Sequence, residues 1–435
     1  MATNGRDIIE LTSTFSSSPQ TVEVAALGGN DDIIFHWIRD FPEGDDPPRD
    51  KRVKYEIDGG PGLDTLIFFV EDDPEFNNDD VLDARTGEIL GVEFTSIERV
   101  ELYGANGNDS LFGLAGDDVL NGQGQSDTMT GGLGNDLYYA NVSSDVIVEN
   151  EDEGQDTVRA FQNFVLPPNV EDLILLAGTS GTGNGLDNYI RGNDAVNTLS
   201  GLGGDDTLDG KGGADTMRGG LGDDTYIVNN SADKVEETSA AGGIDTVQSS
   251  ASFTLGANVE NLVQIGTGNI SGTGNSLGNA IAGNSGDNTL RGLGGADLLK
   301  GNSGDDAIDG GSGDDRIYGG GGNDELEGGA GRDRFYFTST PSPVHADVIT
   351  DFSTSDDLIY LARYAFTNVG GGGRLDADAF RTGSAAADAE DRIIYDAATG
   401  NLFYDADGTG AIAQQLFARV DPGLALTNAD FIVYG

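Results

Sequence analysis

The chain has 435 residues, 68 of them glycine and none cysteine, and carries 75 acidic against 23 basic side chains, a formal charge of -52. No basic surface is available to neutralise nucleic-acid phosphates, no thiol for a disulfide, a zinc–thiolate site or a cysteine nucleophile. The longest apolar runs, Leu66 to Val70 and Leu173 to Ala177, fall far short of the roughly 20 residues a spanning helix needs.

In chain order, the opening residues Met-Ala-Thr-Asn-Gly-Arg-Asp lack a basic stretch followed by an apolar core, so no cleavable signal peptide is expected. Residues 1–103 read as an N-terminal β region with degenerate repeats. A nine-residue unit, GGPGLDTLI, runs from Gly59 to Ile67, and a weaker copy from Ala26 to Ile34. The insert Asp40 to Lys54 is Pro-rich and charged, hence a loop. Its basic cluster, Arg49, Lys51, Arg52 and Lys54, reads as solvated and paired with nearby acids; contact with an acidic glycan or partner is the alternative.

From Gly104 the chain falls into blocks of nine: GANGNDSLF, GLAGDDVLN, GQGQSDTMT, GGLGNDLYY. This first array spans 104–139, a second 183–227 and a third 274–336, giving 16 blocks and 144 residues. Position 1 is Gly in all 16, position 4 is Gly in 12, position 6 is Asp in 12 and Asn in four (Asn188, Asn197, Asn279, Asn288), and position 8 is apolar in all 16. Chance would fill the apolar column with a probability on the order of 10⁻⁷, so the period is real. Six residues of Gly, Asp and Asn make a turn, because they take positive φ cheaply. Three residues with one apolar side chain make a short strand. Turn plus strand, repeated with two blocks per coil, winds a parallel β-roll solenoid whose position-8 side chains fill the gap between two sheets.

Turns then stack on turns, and position-6 carboxylates stack about 5 Å apart, where they repel unless a cation lies between them. Carboxylate and carbonyl oxygens without His or Cys describe a hard cation, and loose geometry favours calcium over magnesium. The candidate carboxylates are Asp64, Asp109, Asp118, Asp127, Asp136, Asp206, Asp215, Asp224, Asp297, Asp306, Asp315, Asp324 and Asp333. The candidate carbonyls are those of Gly104, Gly113, Gly122, Gly131, Gly201, Gly210, Gly219, Gly292, Gly301, Gly310, Gly319 and Gly328. One ion per pair of stacked complete turns gives roughly six to eight ions. The Asn blocks are expected to bind poorly and to allow a ladder of stacked amides instead. Gln125, at a position-4 glycine, is expected to weaken its turn.

Segments 140–182 and 228–273 show alternating apolar residues and read as β spacers that continue or link the rolls. They belong to a longer repeat of about 90 residues, in which GQDTV and LPPNVEDLILL are echoed by GIDTV and LGANVENLVQI. Residues 337–435 read as a β-rich cap, with the aromatic run Phe335, Tyr336, Phe337 placed to cover the last coil. Asp405-Ala-Asp407-Gly408 resembles the start of an EF-hand loop, but lacks the distal Glu and reads as a hairpin turn.

The unit GGxGxDxUx, with U apolar, resembles the nonapeptide of RTX (repeats-in-toxin, haemolysin-type calcium-binding) proteins. Gly310 to Tyr318 and Gly328 to Tyr336 match it in full. The 90-residue unit resembles those of large RTX surface proteins, and 337–435 resembles the C-terminal domain of RTX proteins exported by type I secretion. The resemblance implies bound Ca²⁺, a partnership with the type I machinery during export, an extracellular or bacterial cell-surface location, and an export signal for which Phe431, Ile432 and Val433 fit.

Enzymatic motifs are missing: there is no HExxH and no GxSxG, and the two histidines, His36 and His345, are far apart and expected at the surface. No catalytic activity is expected. The expected role is structural, in a surface layer, matrix or adhesion assembly, with self-assembly or a cell-surface glycan as partner. The alternatives are an enzyme or accessory module acting on acidic polysaccharide and a secreted host-interaction effector. Low calcium should leave the acidic chain unfolded, and calcium should fold it.

Overall fold

A computed structural model describes residues 8–12, 21–25, 29–38, 54–71, 81–89, 92–239, 242–342 and 344–435. Arg49, Lys51 and Arg52, and the first three residues of the Ala26–Ile34 copy, lie outside them. The chain divides into two compact units, Met1–Asp215 and Thr216–Gly435. Among the described residues there is no α-helix, only single 3-10 turns such as Ala84–Thr86, and no helix is long and apolar enough to cross a membrane.

In the first unit, strands Arg99–Tyr103, Val119–Asn121, Leu137–Ala140, Thr157–Ala160, Asp172–Leu175, Tyr189–Arg191 and Thr207–Asp209 pair successively, all parallel, in one sheet. The intervening strands Ser110–Phe112, Thr128–Thr130 and Val146–Ile147 pair in another. Alternate strands of the chain thus join different sheets, the two-block coil that a solenoid requires. Within the arrays the register is 18 residues, as in Leu111 opposite Met129 and Leu120 opposite Tyr138. Every position-8 side chain, from Leu111 to Phe335, is at most 2% exposed, because an x-apolar-x strand points one side chain inward.

The spacers continue the winding at a changed pitch. Tyr138 lies opposite Val158, Val158 opposite Leu173, and Leu173 opposite Ile190, so successive coils take 20, 15 and 17 residues while the inward position is kept. The N-terminal region joins the same sheet with longer coils: Ile33 lies opposite Leu66 and Leu66 opposite Val100. Its outer face carries stacked rings, His36 on Phe69 at 5.0 Å and Phe69 on Tyr103 at 4.5 Å. His36, expected at the surface, is therefore half-buried, with Glu10 Oε1 at 3.5 Å from its Nε2. The aromatic neighbours supply the cover that an isolated histidine would lack.

In the second unit the third array forms longer strands than a three-residue unit predicts: Thr289–Gly294, Leu298–Ser303, Ala307–Ser312 and Arg316–Gly321. The ladder extends into the turns, with Leu293 opposite Gly311 and Asn302 opposite Gly320. Beyond it, Arg334–Phe337 pairs with Leu358–Ala362, which pairs with Phe431–Tyr434. Phe335 meets Phe352 at 6.1 Å and Phe337 meets Phe417 at 5.2 Å, so the aromatic run contacts the residues that follow the last coil. Asp405 to Gln414 connects the antiparallel strands Asn401–Tyr404 and Gln415–Arg419, as a hairpin loop.

Candidate metal centre

Space, rather than backbone angle, fixes the position-1 glycines. A Cβ on Gly113 would lie 2.4 Å from Asp118 Oδ2 and 2.5 Å from the Gly131 carbonyl oxygen. On Gly301 it would lie 2.1 Å from Asp306 Oδ2 and 2.5 Å from the Gly319 carbonyl. A carboxylate of the block's own position 6 and a position-1 carbonyl of the next coil thus converge on a spot that only glycine leaves open.

The two carboxylate oxygens have different partners. Oδ1 accepts the backbone N–H of position 6 one coil earlier: Asp109 donates to Asp127 at 2.8 Å, Asp118 to Asp136 at 2.7 Å, Asp297 to Asp315 at 2.8 Å and Asp306 to Asp324 at 2.9 Å. This bond offsets part of the repulsion in the stack. Oδ2 of Asp64, Asp127, Asp136, Asp297, Asp306, Asp315, Asp324 and Asp333 is buried and accepts no hydrogen bond. A buried anionic oxygen without a donor is costly, and a bound hard cation is what removes that cost. Burial, the largest cause, pushes Asp127 up to about 7, Asp136 to about 8, and Asp297, Asp306, Asp315 and Asp333 to about 6. Asp109, Asp206, Asp215 and Asp224 are buried at the same place in their blocks. These donors fit calcium: all are oxygen, and a bound cation offsets the burial that disfavours their charged form.

The turns are of two kinds, which the sequence pattern did not reveal. In the first two blocks of every array, the position-2 N–H donates to the position-6 side chain: Ala105 to Asp109 Oδ2 and Asn184, Asn193, Asn275 and Asn284 to Asn188, Asn197, Asn279 and Asn288, at 2.8 to 2.9 Å, and likewise Leu114 to Asp118 Oδ2. In every later block position 2 takes positive φ instead, even where it is not glycine: Gln123 at 70°, Leu202 at 85°, Lys211 at 62°, Leu293 at 75° and Asn302 at 75°. That flip turns the position-2 N–H away from the carboxylate. Gln125 also sits at φ 72°, so its turn forms with the strain of a side chain in the left-handed region.

The asparagines do not form an amide ladder with one another. Asn188 Nδ2 donates to the carbonyls of Val170 and Glu171 at 3.2 and 3.1 Å, and Asn279 Nδ2 to those of Val259 and Glu260 at 3.1 Å each. Each amide satisfies carbonyl oxygens of the preceding spacer, so the first coil after a spacer closes with neutral donors.

The carboxylate ladder runs beyond the arrays, onto residues that the nine-residue period passes over. Asp127 N–H donates to Asp145 Oδ1 at 3.1 Å, Asp136 to Asp156 at 2.8 Å and Asp156 to Glu171 at 2.8 Å. In the second unit Asp224 donates to Asp245 and Asp245 to Glu260, both at 2.9 Å, then Asp324 to Asp347 at 3.1 Å and Asp333 to Asp357 at 2.9 Å. Upstream, Asp31 donates to Asp64 at 2.9 Å and Asp64 to Glu98 at 3.0 Å. Asp156 and Asp245 lie in GQDTV and GIDTV, which spell only half a block and so fall outside the nine-residue period. Phe431, Ile432 and Val433 lie in the strand Phe431–Tyr434, with Phe431 and Val433 buried. His345 is exposed.

A family model described as the RTX calcium-binding nonapeptide repeat, four copies, matches residues 103–138, 182–226, 273–308, 282–317 and 301–335. Among solved structures, the chain is similar to the solution structure of the AlgE6R3 subunit from the Azotobacter vinelandii mannuronan C5-epimerase, at 27% identity over 36% of this chain and 78% of that one, with a TM-score of 0.18. No curated protein matches the chain. Sixteen glycine turns, twelve of them with a buried carboxylate, and a two-block parallel coil agree with the matched family: the three arrays are RTX calcium-binding nonapeptide repeats wound as a β-roll.

Proposed function

We propose that the protein is a secreted β-roll that folds on extracellular calcium and serves a structural role at a cell surface or in a matrix, without catalytic activity. The observation that carries this reading is the series of buried Oδ2 atoms without donors in the arrays, joined by a carboxylate ladder that runs on into the spacers. Such a ladder is a scaffold of repeated cation sites. Without calcium, carboxylate repulsion and the backbone entropy of a glycine-rich chain oppose folding. With it, binding free energy becomes folding free energy. Export fits the same scheme: Phe431 and Val433 are buried once folded, so a secretion machinery reads them in the unfolded chain.

The expected total is roughly six to eight ions, one for each pair of stacked complete turns. The test is circular dichroism and equilibrium dialysis of the full chain. Calcium should convert coil to β structure and bind in that number, and Asp306→Ala with Asp315→Ala and Asp324→Ala should lower it. Full β signal in chelator above about pH 8, where the buried carboxylates would be ionised, or unchanged stoichiometry in the triple variant, sinks the reading. Electron microscopy of the calcium-loaded protein should show sheets or filaments, whereas turnover of an acidic polysaccharide in a substrate panel would replace the structural role with an enzymatic one.

A further inference from the structure

The spacer after each of the first two arrays brings in a glutamate that the nonapeptide does not contain. Glu149 follows the strand Val146–Ile147 and lies beside Asp136, the position-6 residue of the last block of its array, and Asp156 of the next coil. One oxygen from each of the three lies within 4.8 Å of the others. Glu149 is 7% exposed, Asp136 and Asp156 1% each. Each has one oxygen engaged: Tyr138 donates its hydroxyl to Glu149 Oε1, Asp118 N–H donates to Asp136 Oδ1 at 2.7 Å, and Asp136 N–H donates to Asp156 Oδ1 at 2.8 Å. The other three, Asp136 Oδ2, Glu149 Oε2 and Asp156 Oδ2, are buried without any hydrogen-bond partner.

The residues and several of the supporting contacts recur in the second unit. Asp136, Tyr138 and Glu149 recur 88 residues later as Asp224, Tyr226 and Glu237, and Asp156 recurs 89 later as Asp245. Tyr226 donates to Glu237 Oε1, and Glu237 Oε2 and Asp245 Oδ2 are again buried without a partner. The supports are duplicated too: Asn169 Nδ2 holds the Glu149 carbonyl at 3.0 Å, and Asn258 Nδ2 holds that of Glu237 at 3.1 Å. A tyrosine that fixes one glutamate oxygen and an asparagine that fixes its backbone leave the remaining oxygen aimed at two aspartates.

Building on the calcium reading above, we propose that Asp136, Glu149 and Asp156, and their counterparts Asp224, Glu237 and Asp245, form two further calcium sites that tie an array to the spacer after it. Three carboxylates face the ion, where a glycine turn offers carbonyls with fewer charges, and affinity rises with the charge count of the ligands. These two ions are therefore the tightest in the molecule and the last to leave.

Equilibrium dialysis of the full chain against falling free calcium tests this. The wild type should retain two ions after the others have left. Glu149→Gln and Glu237→Gln, each close in shape and each keeping an oxygen for its tyrosine, should each remove one of the two, weakening it at least about tenfold while the turn ions remain. Glu151→Gln, on the exposed part of the spacer, should change nothing. If the glutamine variants keep both tight ions, or the wild type releases all its ions in one graded phase, the proposal is overturned. Should a variant fail to regain its β signal in calcium, the wild-type release curve decides alone. A wild type that binds no calcium at all would instead overturn the broader calcium reading.

Discussion

At the scale of single residues, the glycines of one block do different work. Gly310 is required because a Cβ would lie 2.5 Å from Asp315 Oδ2 and 2.6 Å from the Gly328 carbonyl. Position 2 of the later blocks takes positive φ, and Leu293 takes 75° there while half exposed. The two positions should respond oppositely. Gly310→Ala should destabilise the calcium-loaded protein by about 1–3 kcal/mol and remove an ion, since the neighbours of the new methyl are backbone and a carboxylate. Leu293→Gly should stabilise by about 0.5–1 kcal/mol, the relief of left-handed strain less the entropy of glycine. Melting temperatures in calcium and ion counts for the pair check both; a destabilised Leu293→Gly would mean that the φ flip is not strained.

At the scale of one turn or coil, the first coil of the second and third arrays is closed by amides. Asn188→Asp replaces a donor to Val170 and Glu171 with an anion facing their carbonyls. It should cost about 1–3 kcal/mol and add no calcium, because the Asn184 N–H already occupies the position-6 side chain. An extra ion in Asn188→Asp would show that the amide, not the backbone conformation, excludes the metal. The spacers show the same economy. Their coils of 20 and 15 residues change the connecting loops, yet Val158 and Leu173 keep the inward position and Asp156 and Glu171 keep the ladder.

At the scale of the whole molecule, electrostatics sets when the chain folds. The arrays hold 24 acidic and eight basic residues, net -16, which leaves -36 of the -52 elsewhere. Six to eight calcium ions, about +12 to +16, therefore neutralise the arrays alone, and part of the remaining charge is buried outside them, as at Asp64, Glu149, Asp156, Glu237 and Asp245. Buried carboxylates also link folding to pH. Asp136 is pushed to about 8, Asp127 to about 7, and Asp306 and Asp315 to about 6, all above the ordinary value of 3.8, with burial the largest cause. A folded-state pKa raised in this way gives stability that is present below the unfolded value and lost as pH rises through the folded one. In chelator, β structure should therefore be favoured near pH 4 and fade between about pH 6 and 8. In calcium the ion displaces those protons, so affinity should weaken as pH falls through the same window. Circular dichroism and calcium titration across that range check it; a pH-independent calcium affinity would contradict the burial of these carboxylates.

The sequence by itself determined the period, and with it the two-block coil, the inward apolar column and the position-6 carboxylates, because a strict repeat makes every neighbour along the solenoid predictable from its spacing. Leu111, Leu208 and Ile308 are buried as their column requires, and Gly113 and Asp118 meet as theirs does. What lies off the period was not legible. The stacking partners of Asp136 and Asp224, namely Asp156 and Asp245, stand 20 and 21 residues away, and Glu149 and Glu237 fall in no column at all. Nor does the spelling of a block reveal whether its position-2 N–H turns toward the carboxylate, as Leu114 does, or away from it, as Leu202 and Leu293 do. Only the tertiary structure decided these, because backbone pairing between coils sets which residues are neighbours, and loops of different length can carry the same strand register.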